Sequence, residues 1–209
     1  MRPDQSDNHA DSPQTPSGRR LPARDLALIA VFAGLIAALG LAPPVYLFGG
    51  SVPITLQTLG VMLAGSVLGA RRGFLACLVF LALVAIGLPL LSGGRGGLGV
   101  FAGPSAGYLV GWPLGAFVTG WIVERSRRYS IPVGLLANVV GGVLVVYALG
   151  IPVQSWRIST STFVGTLIAA AVYLPGDLTK AVVSTLVTRG VRRALPTPAG
   201  PGRTGSDRT

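Results

Sequence analysis

The stretch LSGGRGGLGVFAGPSAGY, residues 91–108, sets one arginine among glycines inside an otherwise apolar chain. Gly94, Gly96 and Gly99 satisfy the G-x-G-x-x-G spacing of a dinucleotide-binding loop, which would imply a soluble α/β fold. That fingerprint works only where the loop follows a strand and opens a helix whose N-terminus meets the pyrophosphate. Here the residues before it, about Gly73 to Leu91, form an apolar run of membrane-helix character. The only lysine, Lys180, lies far away in GDLTKAV, so no Walker-type lysine accompanies the loop. The phosphate reading fails. What remains is either a flexible turn or a pocket for something negatively charged.

Composition points to the same class. Half of the 209 residues are hydrophobic and only 11% are charged, against roughly 25% in soluble domains. Mean hydropathy is +0.63, the profile of an integral membrane protein. The formal net charge of +10 does not indicate nucleic acid. The arginines sit in the tails and in short connections between apolar runs, as the positive-inside rule requires, and no solvated domain carries them as a patch. Cys77 is the single cysteine and lies in an apolar run; His9 is the single histidine and lies in a polar N-terminal segment. This inventory offers neither a zinc cluster nor a histidine-assisted nucleophile, so no metal site and no catalytic residue is expected.

Hydropathy divides the chain into six segments: about Asp25–Ala42, Ile54–Gly69, Gly73–Leu91, Pro104–Val123, Ile131–Gly150 and Thr162–Thr188. The first is too long for a signal-peptide core and is read as a retained helix. The second is short for a full crossing, and the sixth is interrupted at Pro175-Gly176. Arg19, Arg20 and Arg24 precede the first segment, and Arg71 and Arg72 separate the second from the third. Arg125, Arg127 and Arg128 separate the fourth from the fifth, and Arg189, Arg192 and Arg193 follow the sixth. The other connections hold only Arg95 and Arg157. This alternation predicts an all-α integral membrane protein with six transmembrane helices and both termini cytoplasmic. Residues 1–23 and 194–209 read as disordered cytoplasmic tails around a membrane domain over 24–193.

Several polar residues stand out against this background. Arg95 has no acidic neighbour in sequence, and its planar fork suits a carboxylate. The glycines around it, Gly96 and Gly97 among them, can bring backbone N–H groups close to a ligand. Asp177 and Lys180 share a helix face at i,i+3 within the last apolar segment. Intramembrane ionisable groups of this kind are costly and commonly functional. The break at Pro175-Gly176 would place a helix N-terminus beside them. Gln57, in VPITLQTLG, could bond a polar head group or another helix. Tyr108, Asn138 and Tyr147 could each satisfy themselves on a neighbour. Trp112 and Trp121 fit interfacial anchoring or packing. Gly103, Gly107, Gly111 and Gly115 recur every fourth residue, a spacing for close internal packing. The first segment repeats small residues through Ala27, Ala30, Ala33 and Ala37, which reads as a partner-facing surface.

VPITLQTLGVMLAGSVLGARRG, GLPLLSGGRGGLGVFAGPSAGYLVGWPLGA and YLPGDLTKAVV resemble, in this order, motifs of the BioY family. These are biotin-specific substrate-binding (S) components of energy-coupling-factor (ECF) transporters, and the resemblance spans about residues 25–190. It implies a six-helix S-component fold in the cell membrane, with an outward-facing pocket closed by loops. It also implies partnership with a transmembrane T component and two ATPases, which alone use ATP, so that the chain needs no cofactor. Carried onto this sequence, the family's motifs imply Arg95, Asp177 and Lys180 as biotin-binding residues. Gln57, Tyr108, Gly96 and Gly97 are expected to add contacts, and Ala33 and Ala37 to dock the T component. An asparagine expected on the third helix of some members has no counterpart between Phe74 and Leu91. A stand-alone secondary transporter for biotin or another small carboxylate vitamin, with Asp177 relaying protons, is the competing reading.

Overall fold

Apolar runs of this length fold as helices because a helix satisfies its own backbone hydrogen bonds where no water can. A computed structural model describes residues 22–46, 52–126, 128–158 and 162–194. The described chain forms α1 (Ala23–Leu39), α2 (Gln57–Leu68), α3 (Ala70–Ala85), a 3-10 turn (Leu98–Ala102) and α4 (Ala106–Arg125). Next come α5 (Ile131–Ala137), a π-helical stretch (Asn138–Val145) and α6 (Val146–Arg157). The last elements are α7 (Phe163–Ala170), a 3-10 turn (Ala171–Tyr173) and α8 (Leu174–Ala194). Only isolated bridges, Val45 with Ile54 and Leu91 with Arg95, interrupt the all-helical character of the described residues. The two expected tails fall, apart from Pro22, Ala23 and Ala194, outside the described residues.

The six apolar segments reappear with two shifts. The fifth runs on past Gly150 to Arg157, because Pro152 is carried inside α6 instead of ending it. Membrane helices tolerate such prolines where neighbours re-satisfy the freed backbone. In the sixth segment the interruption falls at Ala171–Tyr173, one turn earlier than expected. Pro175 sits inside the first turn of α8, where its missing N–H has no helical partner to lose. Three helical runs are long and apolar enough to cross a membrane: 106–125, 131–157 and 163–194.

Helix α2 has only 12 residues, nine of which are buried. It is the central helix, surrounded by α1, α3, α4, α8 and the π-helical stretch. At Gly69, where φ is +87°, the chain turns directly into α3, and the Glu124 carboxylate accepts the Ala70 N–H at 2.9 Å.

Burial is inverted relative to a soluble bundle. Asp177 and Lys180 are each 7% exposed and Asn138 is fully buried, whereas Leu144, Leu186 and Ile168 are 56, 52 and 68% exposed. A surface of leucine and valine around an interior holding charges is the arrangement that lipid selects.

The glycine stripe of α4 serves internal packing. A Cβ on Gly111 would lie 3.1 Å from Val146 Cα, and one on Gly115 would lie 2.6 Å from the Gly141 carbonyl oxygen. These contacts seat α4 against α6 and the π-helical stretch. On α1 the structure shifts the expected partner surface. Ala33 is 2% exposed and packs into the core, so it offers a partner no surface. Ala37 is half-buried, and the exposed small residues are Ala27, Ala30, Gly34 and Ala38. The reason is phase: α1 buries Asp25, Ile29, Ala33 and Ile36, which leaves the other side outward.

Candidate functional site

One end of the helix layer is closed by the loop between α3 and α4. Gly87, Gly93, Gly94 and Gly97 adopt positive φ there, which folds the loop back on itself. Arg95 and Leu91 exchange backbone hydrogen bonds, and Gly97 N–H is donated to the Val84 carbonyl at 2.8 Å. Gln57 pins this loop from below. Its Nε2 donates to the carbonyls of Ile36 (3.2 Å) and Leu90 (3.1 Å), while its Oε1 accepts the Ser92 N–H at 2.9 Å. Ser92 in turn donates its hydroxyl to the Ala42 carbonyl at 2.8 Å. Gln57 therefore ties the α1 end, α2 and the glycine-arginine loop together, with both amide hydrogens committed to backbone carbonyls.

Replacing Gln57 with leucine should remove all three bonds and strand Ser92 N–H. We expect a loss of about 1–3 kcal/mol in stability, with faster hydrogen exchange over residues 88–97. A melting curve and exchange profile like those of the parent would refute the clamp.

Beneath the loop lies a cavity enclosed by α2, α4, α6, α8 and the loop itself. Arg95, Gln57, Tyr108, Asp177 and Lys180 all line it. α8 supplies the charged pair, with Lys180 Nζ 2.9 Å from Asp177 Oδ1. Two further residues complete the cluster: Thr58, which the sequence did not single out, and Tyr147, one of its weaker candidates. The Thr58 hydroxyl accepts from Lys180 at 2.9 Å and approaches Asp177 Oδ1 at 3.4 Å. Tyr147 donates its hydroxyl to Asp177 Oδ2 at 2.6 Å. Such satisfaction is what makes a buried ion pair tolerable, since desolvating two charges costs several kcal/mol per ion before partners offset it.

The guanidinium of Arg95 is differently placed. Its Nε donates to the Ser92 carbonyl at 3.3 Å, and it forms no ion pair with any described residue. The lining also includes the apolar or aromatic side chains of Leu91, Leu109, Val146 and Tyr173. Tyr108 contributes ring surface, because its hydroxyl is donated to Gln154 Oε1 at 2.7 Å and its edge meets Tyr147. Trp112 lines the cavity at 5% exposure, and its Nε1–H is buried without a partner.

The flanking glycines act on the loop itself. Gly96 lines an adjoining cleft with Arg95, Val100 and Ser105, and a Cβ there would collide with the Leu88 carbonyl. Gly97 lies outside the cavity lining and its N–H is already committed to Val84. Asn138 belongs to a different buried cluster with Ser66, Ser184 and Thr185. Helical spacing offered a signal for Trp112, which lies one turn after Tyr108 on the same face. Tyr147 and Thr58 reach Asp177 only through the tertiary fold.

The BioY family model matches residues 11–197. The chain is 50% identical over 183 residues to the biotin transporter BioY of Rhizobium etli, covering 84% of this chain and 97% of that one. It is 52% identical over 186 residues to the biotin transporter BioY of Rhodobacter capsulatus, covering 83% and 95%. A crystal structure of the S-component for biotin from an ECF-type ABC transporter matches with a TM-score of 0.76 at 33% identity. That match covers 81% of this chain and 91% of the other.

Proposed function

The chain belongs to the BioY family, and from this premise we propose that it is a biotin transporter whose cavity captures biotin for import as the S component of an ECF system. Biotin has a carboxylate at one end, a ureido ring with two N–H donors and one carbonyl at the other, and an apolar middle. The observation that carries the reading is the cavity's matching division. It combines an arginine without a counter-ion among the described residues, an Asp177 cluster rich in donors and acceptors, and a largely apolar remaining lining. In the complex Arg95 holds the biotin carboxylate and Asp177 accepts a ureido N–H. The Trp112 indole N–H, left unpaired by the protein, donates to the ligand.

Trp112→Phe keeps the ring packed near Phe80, whose centroid is 5.9 Å away, and removes only the donor. The expected result in calorimetry is about tenfold weaker biotin binding. Unchanged affinity would take Trp112 out of the ligand set.

Arginines cluster around the start of α1, in the first turn of α3, from the end of α4 towards α5, and at the end of α8, supporting six crossings of the cell membrane with cytoplasmic termini. The cavity then opens outward. The binding unit is residues 24–193, with 1–23 and 194–209 outside it. The chain contributes no catalysis or cofactor; ATP is consumed by two ATPase subunits that act through a T component. The T component meets α1 on its exposed small-residue face, in the register of Ala30 and Gly34 rather than Ala33 and Ala37. Ala30→Trp should therefore bind biotin normally yet fail to co-purify with a co-expressed T component. Intact co-purification would reject that face.

The deciding experiment is calorimetric titration of the detergent-purified protein with biotin, with thiamine and riboflavin as controls. One-to-one binding of biotin alone is the expected outcome. A folded protein that ignores biotin would end this reading. Biotin uptake in cells lacking any T component, abolished by collapsing the proton gradient, would favour a secondary transporter instead.

A further inference from the structure

About 22 Å along α8 from Asp177, at 1.5 Å per residue, the helix ends in Arg189, Arg192 and Arg193. These three sit at i, i+3 and i+4, so like charges crowd one helix face. With Tyr129, just before α5, and Ile131 at its start, they line a cleft whose lining includes no carboxylate. The acidic groups described at this end of the bundle are engaged elsewhere. Asp25 pairs with Arg72 at 3.0 Å, and Glu124 accepts the Ala70 N–H.

One guanidinium is already fixed in position. Arg192 lies 5.0 Å over the Tyr129 ring and donates to the Ser66 carbonyl at 3.2 Å, while Tyr129 is anchored through its hydroxyl to the Thr185 carbonyl at 3.0 Å. The cleft is thus a cationic site with one guanidinium held in place by the protein itself.

Its surroundings select the kind of anion. Immediately before the arginines, on the side of α8 that carries Arg189 and Arg193, Leu178, Val182 and Leu186 are 45, 45 and 52% exposed, and Ile131 at the cleft wall is 38% exposed. Along one helix, an apolar outer stripe therefore leads into a cationic cleft. A soluble phosphate would use the charges alone. An amphiphile with an anionic head and acyl chains uses both features. We propose that this cleft binds the phosphate headgroup of an anionic membrane phospholipid, with the acyl chains lying along the face of α8 formed by Leu178, Val182 and Leu186. This site is separate from the ligand cavity and independent of what that cavity binds.

The test uses the full chain in phosphatidylcholine nanodiscs doped with phosphatidylglycerol, followed by native mass spectrometry of the released protein. Wild type should retain one phosphatidylglycerol in preference to phosphatidylcholine, and retention should fall as salt is raised. Arg189→Gln/Arg193→Gln should retain about tenfold less while binding biotin as the parent does; Arg192 is spared because it also holds α2. Equal retention of the two lipids, salt-insensitive retention, or an undiminished double variant would overturn the proposal. Inorganic phosphate is the second arm. If it displaces phosphatidylglycerol at comparable concentration, the site takes soluble phosphate and the lipid assignment falls. Should the glutamine pair misfold, Arg189→Lys/Arg193→Lys and the wild-type salt series still decide.

Discussion

Asp177→Asn is expected to weaken biotin binding by about 100-fold, the scale of losing one hydrogen bond to a charged group in a desolvated site. The same change leaves the Lys180 ammonium buried without its counter-charge, at a cost to the fold of about 3–5 kcal/mol. Lys180 has 8% side-chain exposure and its carboxylate partner 10%, so water screens the pair little. The two effects can be separated. Asp177→Asn/Lys180→Met removes both charges, and replacing a buried pair with apolar volume is commonly neutral or stabilising. The double variant should therefore melt near the parent temperature yet remain unable to bind biotin. If it regained binding, Asp177 would be a structural partner of Lys180 and no ligand.

Arg95→Ala should produce the second large effect, a change in selectivity more than in stability. The loop backbone is held by Gln57, Ser92 and the Leu91–Arg95 bridge, so deleting the side chain leaves the cavity's roof in place. Biotin affinity should fall about 30-fold with the loss of a charge-assisted pair, while biotin amide, which has no carboxylate, should lose almost nothing. The parent's preference for the acid over the amide should then nearly vanish. Equal losses for both ligands would mean that Arg95 shapes the loop instead of reading the carboxylate.

Both predictions rest on residues that the sequence announces by their chemistry. An isolated arginine in a glycine run and an i,i+3 ion pair inside an apolar segment are conspicuous because lipid makes such groups costly. Gln57 was equally visible, but its role was not. A buried amide can serve a ligand or a backbone, and only the positions of Ile36, Leu90 and Ser92 around it decide between them. Thr58 illustrates the opposite case. Its sequence surroundings are unremarkable, yet across the fold it meets Lys180 at 2.9 Å and Asp177 at 3.4 Å.

The sequence by itself determined the class of fold, the apolar segments, the arginine asymmetry and the charged residues of the site. Each of these depends on the local balance of apolar and polar groups, which reads directly along the chain. Tertiary structure alone decided which face of each helix turns inward. It placed Ala33 in the core and left Ala30 and Gly34 outside. It also turned Gly96 and Gly97 into parts of a folded loop and left the Trp112 N–H unpaired beside the cavity. In a membrane helix both faces are apolar, so hydropathy carries little information about phase. Phase is fixed by close packing of small residues and by where buried polar atoms find their partners.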